Sequence, residues 1–393
     1  MAMRTILSLL VLFASALIMG TAPSLYNSPN QVQLSRQIDA ILSPISQPGE
    51  PGLAVLVKSK GQVLFDQAYG VRELRTHPIN TPDTNFRLAS FTKQFTAMAI
   101  MLLIHDGKLH YDDRLTDVLP EFPRYGKAIT IRHLLTHTSG LPDYEDLMEA
   151  EEKARGGAIW SPTHQIQDGE VLQLIEHTSS PNFVPGTRWA YSNSGYVVLG
   201  LIVRKVSGMP YRDFLQERIF APAGMKHSIV YQNGINEVSK RALGHSFENG
   251  KWVETDQSST SATLGDGGIY SSVEDLAKWD EALQKHTLLS EGDMAPALTT
   301  VRLGDGSNTE RPPERGGDNR TPAKPVFYGF GWFLDPYKGH ARMWHTGETM
   351  GFRTVIQRFP AEQLTVVILS NRSDVDTKSL SEQIADLALP QAH

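Results

Sequence analysis

Residues 52–58, GLAVLVK, are followed after Ser59-Lys60-Gly61 by residues 62–69, QVLFDQAY. Both runs are short, largely apolar and separated by turn-forming residues, which predicts two strands joined in a hairpin. Near the other end of the chain, residues 354–359 and 364–369 flank a proline-containing turn and predict a second hairpin. Strands at both ends of the chain indicate one antiparallel sheet that is built from its two termini.

The residues between the two hairpins have a mostly helical pattern. Apolar side chains recur at helical spacing over residues 90–104, 193–206 and 272–283. We predict a strand over 341–345, just before the second hairpin, and a closing helix over 377–388. The predicted fold class is α+β (in the wider sense α/β): an antiparallel sheet with flanking helices and an inserted, mostly helical region.

The predicted domain organisation follows from this pattern. We expect one mature domain over 23–393, with its sheet region at about 35–90 and 325–390 and its helical region at about 90–300. Two polar, turn-rich stretches, 146–168 and 304–324, are interpreted as surface insertions.

Composition excludes several kinds of function. The chain has 37 Lys and Arg against 43 Asp and Glu, a formal net charge of −6, and we therefore expect no nucleic acid partner. It has no cysteine, which excludes a thiol nucleophile, a thiolate metal site and any disulfide.

The N-terminus has the pattern of a secretory signal. Arg4 precedes the apolar run 6–19, which is shorter than the ~20 residues that span a bilayer. Small residues follow at 20–22, so we predict a cleaved signal peptide over 1–22, no stable membrane span afterwards, and a secreted or periplasmic protein. An uncleaved anchor is the alternative, because Pro23 makes a poor cleavage junction.

The first candidate for chemistry is the sequence Ser90-Phe91-Thr92-Lys93. A serine hydroxyl needs a base within hydrogen-bond reach to become a nucleophile. Two residues three apart on a helix share one face, so Lys93 is placed to act on Ser90. S-x-x-K is a known catalytic motif, although an unrelated surface serine and lysine can have the same spacing by chance.

Tyr191-Ser192-Asn193 opens a predicted helix and supplies the second candidate group. A phenol beside a lysine cation can serve as a general base, and an amide could orient that lysine. A buried structural tyrosine is the alternative interpretation. Tyr231 heads a similar Y-x-N string, but that string lies in a turn and opens no helix.

The third candidate is His345-Thr346-Gly347, at the end of the strand predicted over 341–345. Backbone N–H groups of such a strand can form part of an oxyanion hole, and glycine allows close backbone approach.

The three motifs occur in this order on a helix, a helix start and a strand. Together they resemble the serine β-lactamase and penicillin-binding-protein superfamily, in its branch of class C β-lactamases, D-Ala-D-Ala carboxypeptidases and esterases. Three further stretches are similar to that family: IRHLLTHTSGL at 131–141, GDGGIYS at 265–271 and YGFGW at 328–332. The resemblance extends from about residue 38 to about residue 371 and implies a β-lactamase/transpeptidase-like fold.

The resemblance implies a role for each matching residue. Ser90 would be the acylated nucleophile, and Lys93 and Tyr191 would share its proton. Asn193 would position Lys93 and the substrate. The backbone N–H groups of Ser90 and Glu348 would form the oxyanion hole. No metal and no organic cofactor is implied.

One position departs from the family's pattern. Many β-lactamases of the superfamily carry lysine where this chain has His345, and histidine is charged only part of the time near neutral pH. We therefore expect a small-molecule or peptide substrate (a D-amino-acid peptide, an ester or a β-lactam), with efficient β-lactam binding the least favoured. A penicillin-binding or cell-wall-peptide receptor with little turnover is the alternative, and the sequence leaves the oligomeric state open.

Two other features allow different interpretations. His133 and His137 are four apart in a predicted helix, a spacing that can hold a metal. Leu134 stands where the zinc-protease pattern needs glutamate, so we interpret both as structural histidines. Arg353 is either a replacement anion contact for the missing lysine or a surface arginine.

Overall fold

The central element of the fold is a five-stranded antiparallel sheet. The computed structural model describes residues 29–45, 47–311 and 324–390. Within it the strand order is β10-β11-β12-β1-β2, with β1 Leu53–Ser59 and β2 Gln62–Tyr69 from one end of the chain. The strands β10 Met343–Thr349, β11 Phe352–Phe359 and β12 Leu364–Ser370 come from the other end. The two ends join where β1 pairs with β12, with Leu53 opposite Ser370.

Shorter strands form three small sheets beside the central one. Their order is β3-β7-β4, β5-β6 and β8-β9. Their bounds are β3 Phe86–Arg87, β4 Ile229–Val230, β5 His245–Glu248, β6 Lys251–Glu254, β7 Ile269–Ser271, β8 Glu310–Arg311 and β9 Lys324–Pro325.

Helices cover the sheet and fill the middle of the chain. They are α1 Pro29–Leu42, α2 Lys93–His105, α3 Leu115–Val118, α4 Ile131–Leu135, α5 Tyr144–Arg155, α6 Asp168–Glu176, α7 Asn193–Ser207, α8 Tyr211–Leu215, α9 Ala221–Ala223, α10 Val273–Gln284, α11 Glu291–Met294 and α12 Thr377–Ala388. Within the three described ranges, no helix is both long and apolar enough to cross a bilayer.

The sheet is buried on both faces, which explains the unbroken apolar run of β1. Leu53, Val55 and Val57 point to a cluster that includes Ile38 of α1 and Ile384 of α12. The alternate residues of β1 point to a larger cluster that contains the helices of the middle region. Because successive side chains of a strand alternate between faces, a strand covered on both sides reads as continuously hydrophobic.

Helix α10 is tied to the sheet by a buried ionic network. The Asp280 carboxylate lies 3.1 Å from Lys58 Nζ of β1 and accepts hydrogen bonds from Arg358 Nε at 2.8 Å and Thr365 Oγ1 at 2.6 Å. These contacts fix the helix against three different strands. They hold the middle of the chain in place relative to the sheet that both termini build.

The sequence-based fold class is confirmed, and so are both hairpins and the closing helix. The strand predicted over 341–345 has the wrong bounds: β10 begins at Met343 and continues to Thr349. Its polar second half is a strand because it pairs with β11 along its whole length. His345 therefore lies inside the strand and not at its end.

Two further predictions on the organisation need correction or fall outside the described residues. Stretch 146–168 is not simply a surface insertion, because most of α5 lies in it and Met148, Trp160 and Ile166 are buried in the main core. Glu149, Lys153 and Arg155 are exposed, while these apolar side chains pack inward. The signal peptide predicted over 1–22 lies outside the described residues, as does most of the insertion predicted over 304–324.

Candidate active site

Ser90 lies in a turn that leads into helix α2. The turn is a short 3-10 helix over Ala89–Thr92, so Ser90 precedes the α-helix that begins at Lys93. Ala89, directly before Ser90, has a φ of 49°, in the left-handed region that a residue with a side chain rarely adopts. This sharp turn leaves Ser90 half-buried between two fully enclosed neighbours, Ala89 and Phe91.

The Lys93 amine is fully buried and has three hydrogen-bond partners. Nζ lies 3.0 Å from Ser90 Oγ, 2.8 Å from Asn193 Oδ1 and 3.2 Å from the carbonyl oxygen of Asp266. The amide and carbonyl oxygens only accept hydrogen bonds, so two N–H groups of Nζ are committed to them. The third position, facing Ser90, holds an N–H in the ammonium and a lone pair in the amine. A proton can therefore move along the Oγ–Nζ axis without any rearrangement of the site.

Tyr191 covers this amine from the side. Nζ of Lys93 lies 4.9 Å from the centre of the Tyr191 ring, within cation–π range. Ser192, the next residue, is the N-cap of α7, and its hydroxyl accepts from the N–H of Gly195. The helix start predicted from the sequence thus brings Asn193 and Tyr191 to Lys93 together, across about a hundred intervening residues.

The start of α7 rests on the loop that follows α4. The Asp143 carboxylate accepts from the N–H of Asn193 at 2.7 Å and from the N–H of Glu145 at 3.1 Å. Burial raises the pKa of Asp143, although the two backbone donors and the nearby Lys93 act in the opposite direction. Asp143 therefore joins the first turns of α5 and α7 beneath the candidate site.

Strand β10 approaches the Ser90 turn at Gly347. A Cβ atom at Gly347 would lie only 1.9 Å from the carbonyl oxygen of Leu88, so no other residue fits there. That carbonyl also accepts from Thr354 Oγ1 of β11 at 2.9 Å. The contact brings Glu348 and Thr346, which flank Gly347 in the strand, to the segment that carries Ser90.

His345 is a neutral, buried imidazole. Its Nδ1–H donates to the carbonyl oxygen of Thr346 at 2.6 Å, and Nε2 accepts from Tyr328 Oη at 3.2 Å. Burial, with the Lys93 cation as a second cause, lowers the pKa of His345 to about 3. The expectation of a partly charged histidine is therefore wrong, because the enclosed position disfavours the imidazolium. Its ring centre lies 6.2 Å from that of Tyr191.

His133, His137 and Arg353 were the candidates for a metal or an anion contact, and their surroundings do not support either role. His137 lies beyond the end of α4, so the predicted shared helix for His133 and His137 is wrong. No cluster of three metal-ligating side chains occurs in the described part of the chain. Arg353 donates to the carbonyl oxygens of Thr349 and Phe352, at 2.7 and 2.8 Å, within its own hairpin.

The structure brings together Ser90, Lys93, Tyr191, Asn193 and His345, which the sequence had nominated from three distant segments. Three supporting residues were either not predicted or interpreted only as structural: His137, Asp143 and Asp266. His137 lies in the family-like stretch 131–141 and Asp266 in 265–271, so proximity to a motif was the available signal. Asp143 comes just after the first of these stretches and had no signal of its own.

Fold and site together place the chain among the serine β-lactamases and penicillin-binding proteins. The model of the Beta-lactamase family matches residues 37–389, and the chain belongs to that family. It is 33% identical over 336 residues to penicillin-binding protein 4* of Bacillus subtilis, a match that covers 81% of this chain and 68% of that protein.

Solved structures agree with this assignment. The octameric penicillin-binding protein homologue from Pyrococcus abyssi is 25% identical, with a TM-score of 0.73 over 91% of this chain and 77% of that one. The D-amino acid amidase from Ochrobactrum anthropi shares the fold, with a TM-score of 0.71, 23% identity, and coverage of 91% of this chain and 98% of that one.

Proposed function

We propose that this chain is an exported serine hydrolase that cleaves an amide or ester bond through an acyl-enzyme on Ser90. The observation that carries the proposal is the 3.0 Å contact between Lys93 Nζ and Ser90 Oγ. The amine is buried, and its other two partners only accept hydrogen bonds, so in the amine form the lone pair of Nζ faces Ser90 and can take its proton. In this proposal residues 1–22 are a signal peptide, 23–393 form the mature domain, and the protein is secreted or periplasmic.

In the amine form of Lys93, the reaction starts with attack of Ser90 Oγ on the substrate carbonyl carbon while the serine proton passes to the lone pair of Nζ. The backbone N–H groups of Ser90 and Glu348 stabilise the developing oxyanion. Tyr191, beside Nζ, relays the proton to the leaving amine or alcohol as its bond to the carbonyl breaks. Water then attacks the acyl ester, its proton returns to Ser90 by the same route, and the acid leaves.

The neutral His345 favours some substrates over others. A penicillin-like carboxylate needs a fixed positive charge to pair with, and an imidazole whose pKa is about 3 supplies none at neutral pH. We therefore rank D-amino-acid amides and esters, which lack that carboxylate, above β-lactams, and keep D-amino-acid peptides as a further candidate class. The D-amino acid amidase among the structural neighbours is compatible with this ranking.

A parallel assay tests the proposal. The purified protein is given D-alanyl-D-alanine peptides, p-nitrophenyl esters and nitrocefin, with Ser90→Ala as the control. We expect steady-state turnover of a peptide or ester with kcat/KM above that on nitrocefin, and none with Ser90→Ala at an unchanged melting temperature. Turnover that survives in Ser90→Ala contradicts the proposal. A burst without turnover on every substrate class favours the receptor alternative.

A further inference from the structure

His137 contacts the chain on both sides of Tyr191. Its carbonyl oxygen accepts from the N–H of Ala190 at 3.0 Å, and its Nδ1 accepts from the N–H of Ser192 at 3.1 Å. The residue itself is 1% exposed and has a φ of 59°, in the left-handed region. The backbone of His137 is thus held in an unfavourable region, and the residue makes one hydrogen bond on each side of Tyr191. Simple core packing does not require these features.

The imidazole ring also packs on Tyr191 itself. The two ring centres are 4.3 Å apart with an interplanar angle of 34°. The Tyr191 ring also lies close to Lys93 Nζ, 4.9 Å from the ring centre. The Tyr191 ring therefore contacts both the Lys93 amine and the His137 imidazole.

The chemistry of His137 suits a fixed support. Because Nδ1 accepts a backbone hydrogen bond, the ring proton is on Nε2 and the imidazole is neutral. Burial, and then the nearby Lys93 and the His345 imidazole, hold the pKa of His137 well below its usual value. Nδ1 of His137 therefore stays unprotonated near neutral pH and can accept the hydrogen bond from Ser192.

We propose that His137 is a positioning residue that fixes the Tyr191 phenol near Lys93 by its hydrogen bonds to the backbone on both sides of Tyr191 and by the packing of its ring. It acts through Tyr191 and needs no contact with the substrate. The inference rests on the proposed function, in which Tyr191 relays the proton of the acyl-transfer step.

A double-mutant cycle with His137→Phe and Tyr191→Phe tests the inference. Phenylalanine keeps a ring but removes the acceptor, so kcat on the best ester should fall about tenfold or more with KM little changed. In the Tyr191→Phe background the same substitution should have almost no further effect, because the phenol to be positioned is gone. His137→Asn, whose amide oxygen can replace Nδ1, should recover most of kcat.

The matched control is His133→Phe. His133 is also an imidazole whose Nδ1 accepts a backbone N–H, that of Thr130, and this bond lies within the N-terminal turn of α4 and not at Tyr191. The His133→Phe variant should leave kcat unchanged. If His137→Phe does not fold, His137→Ala replaces it in the cycle.

The outcomes separate the two proposals. If Tyr191→Phe slows the reaction and the His137 effect is the same in both backgrounds, the positioning role is wrong and the proposed function stands. If Tyr191→Phe leaves kcat unchanged, the relay role of Tyr191 fails and the positioning role fails with it.

Discussion

At the scale of single residues, the charge state of His345 distinguishes this site from one with lysine at that position. The imidazole is 2% exposed and bonded at both nitrogens, one to a carbonyl oxygen that requires the Nδ1 proton. The cation of Lys93 adds to the cost of a second positive charge. The sequence shows histidine at a position where relatives carry lysine. The charge of this histidine depends on its burial, which motif spacing does not reveal.

This neutrality predicts how selectivity depends on pH. With a pKa of about 3, His345 stays uncharged from pH 8 down to pH 5.5. The ratio of kcat/KM on a carboxylate-bearing ester to kcat/KM on its uncharged analogue should therefore be flat across that range. A histidine titrating near its usual pKa of about 6.5 would make the ratio rise as the pH falls.

His345→Lys is the companion variant, because it places a cation at the same point. It should shift the ratio towards the carboxylate substrate. A ratio that rises at acid pH in the wild type would contradict the neutral assignment.

At the scale of elements, the site depends on how closely edge strand β10 packs on the Ser90 turn. Gly347 is the point of contact, with its would-be Cβ 1.9 Å from Leu88 O and 2.5 Å from Thr354 Oγ1. Strand and turn come from segments about 250 residues apart. A small shift of either would move the N–H groups proposed for the oxyanion hole.

Gly347→Ala should therefore separate the strand from the turn. We expect a loss of about 1–3 kcal/mol in the free energy of unfolding, from overpacking. Activity should fall about a hundredfold, from misplacement of the oxyanion donors. Urea unfolding and ester kinetics measure the two effects.

Gly169→Ala is the control for this prediction. Gly169 is in helix α6, and an added Cβ there meets nothing within 4 Å. Alanine should leave activity unchanged and is a better helix former than glycine. Full activity in Gly347→Ala would show that the contact is not needed.

The elements also show where pattern reading succeeds. Helix α7 was predicted almost to the residue, and in the structure Ser192 caps its start and Gly208 ends it. The helix predicted from Ser90 begins three residues later, at Lys93, because Ala89 adopts a left-handed φ and a 3-10 turn intervenes. A backbone feature of this kind leaves no mark in hydrophobic periodicity.

At the scale of the whole molecule, Asn371 joins the two ends of the chain to its middle. Its Oδ1 accepts from the N–H of Gly52 at 2.8 Å. Its Nδ2 lies within 3.1 Å of the carbonyl oxygens of Val71, Arg72 and Leu243. The side chain is fully buried and connects β1 and the chain after β2 to the segment before β5.

Asn371→Ala should lower the free energy of unfolding by about 3 kcal/mol, since it leaves several buried backbone groups without a partner. Urea unfolding measures the loss. Asn308→Ala is the control, because Asn308 is exposed and its side chain bonds only to the exposed Arg302 among the contacts shown. Equal stability of the two variants would contradict the role of Asn371.

The buried histidines also predict the acid stability of the whole protein. Below pH 6.5 the unfolded chain binds a proton at His345 that the folded protein, with a pKa of about 3, does not bind. The free energy of unfolding should fall by about 2 kcal/mol between pH 7 and pH 5 from this residue alone. His137, whose pKa is also lowered, acts in the same direction.

Urea unfolding at the two pH values measures this fall. His345→Gln should lose that part of the pH dependence. His110→Gln, at a side chain that is 76% exposed, should keep it. An unchanged pH dependence in His345→Gln would show that His345 does not resist protonation.

The limit of sequence reading at this scale is long-range geometry. Two hairpins near opposite ends were enough to predict one sheet, because each strand buries its faces and needs partners. The contacts from Lys93 to Asn193 and Asp266 join residues 100 and 173 positions apart, and no local pattern specifies them. Motif order suggested the meeting of these residues, and the packing of α2, α7 and the 265–268 turn produces it.

Peptide mass spectrometry after labelling with a fluorophosphonate probe tests most directly whether Ser90 is the nucleophile. An oxygen activated by the Lys93 amine should react, so the label should be found on Ser90 and be absent from Ser90→Ala. Label on a different residue, or an unlabelled Ser90 in protein shown to be folded, would contradict the account.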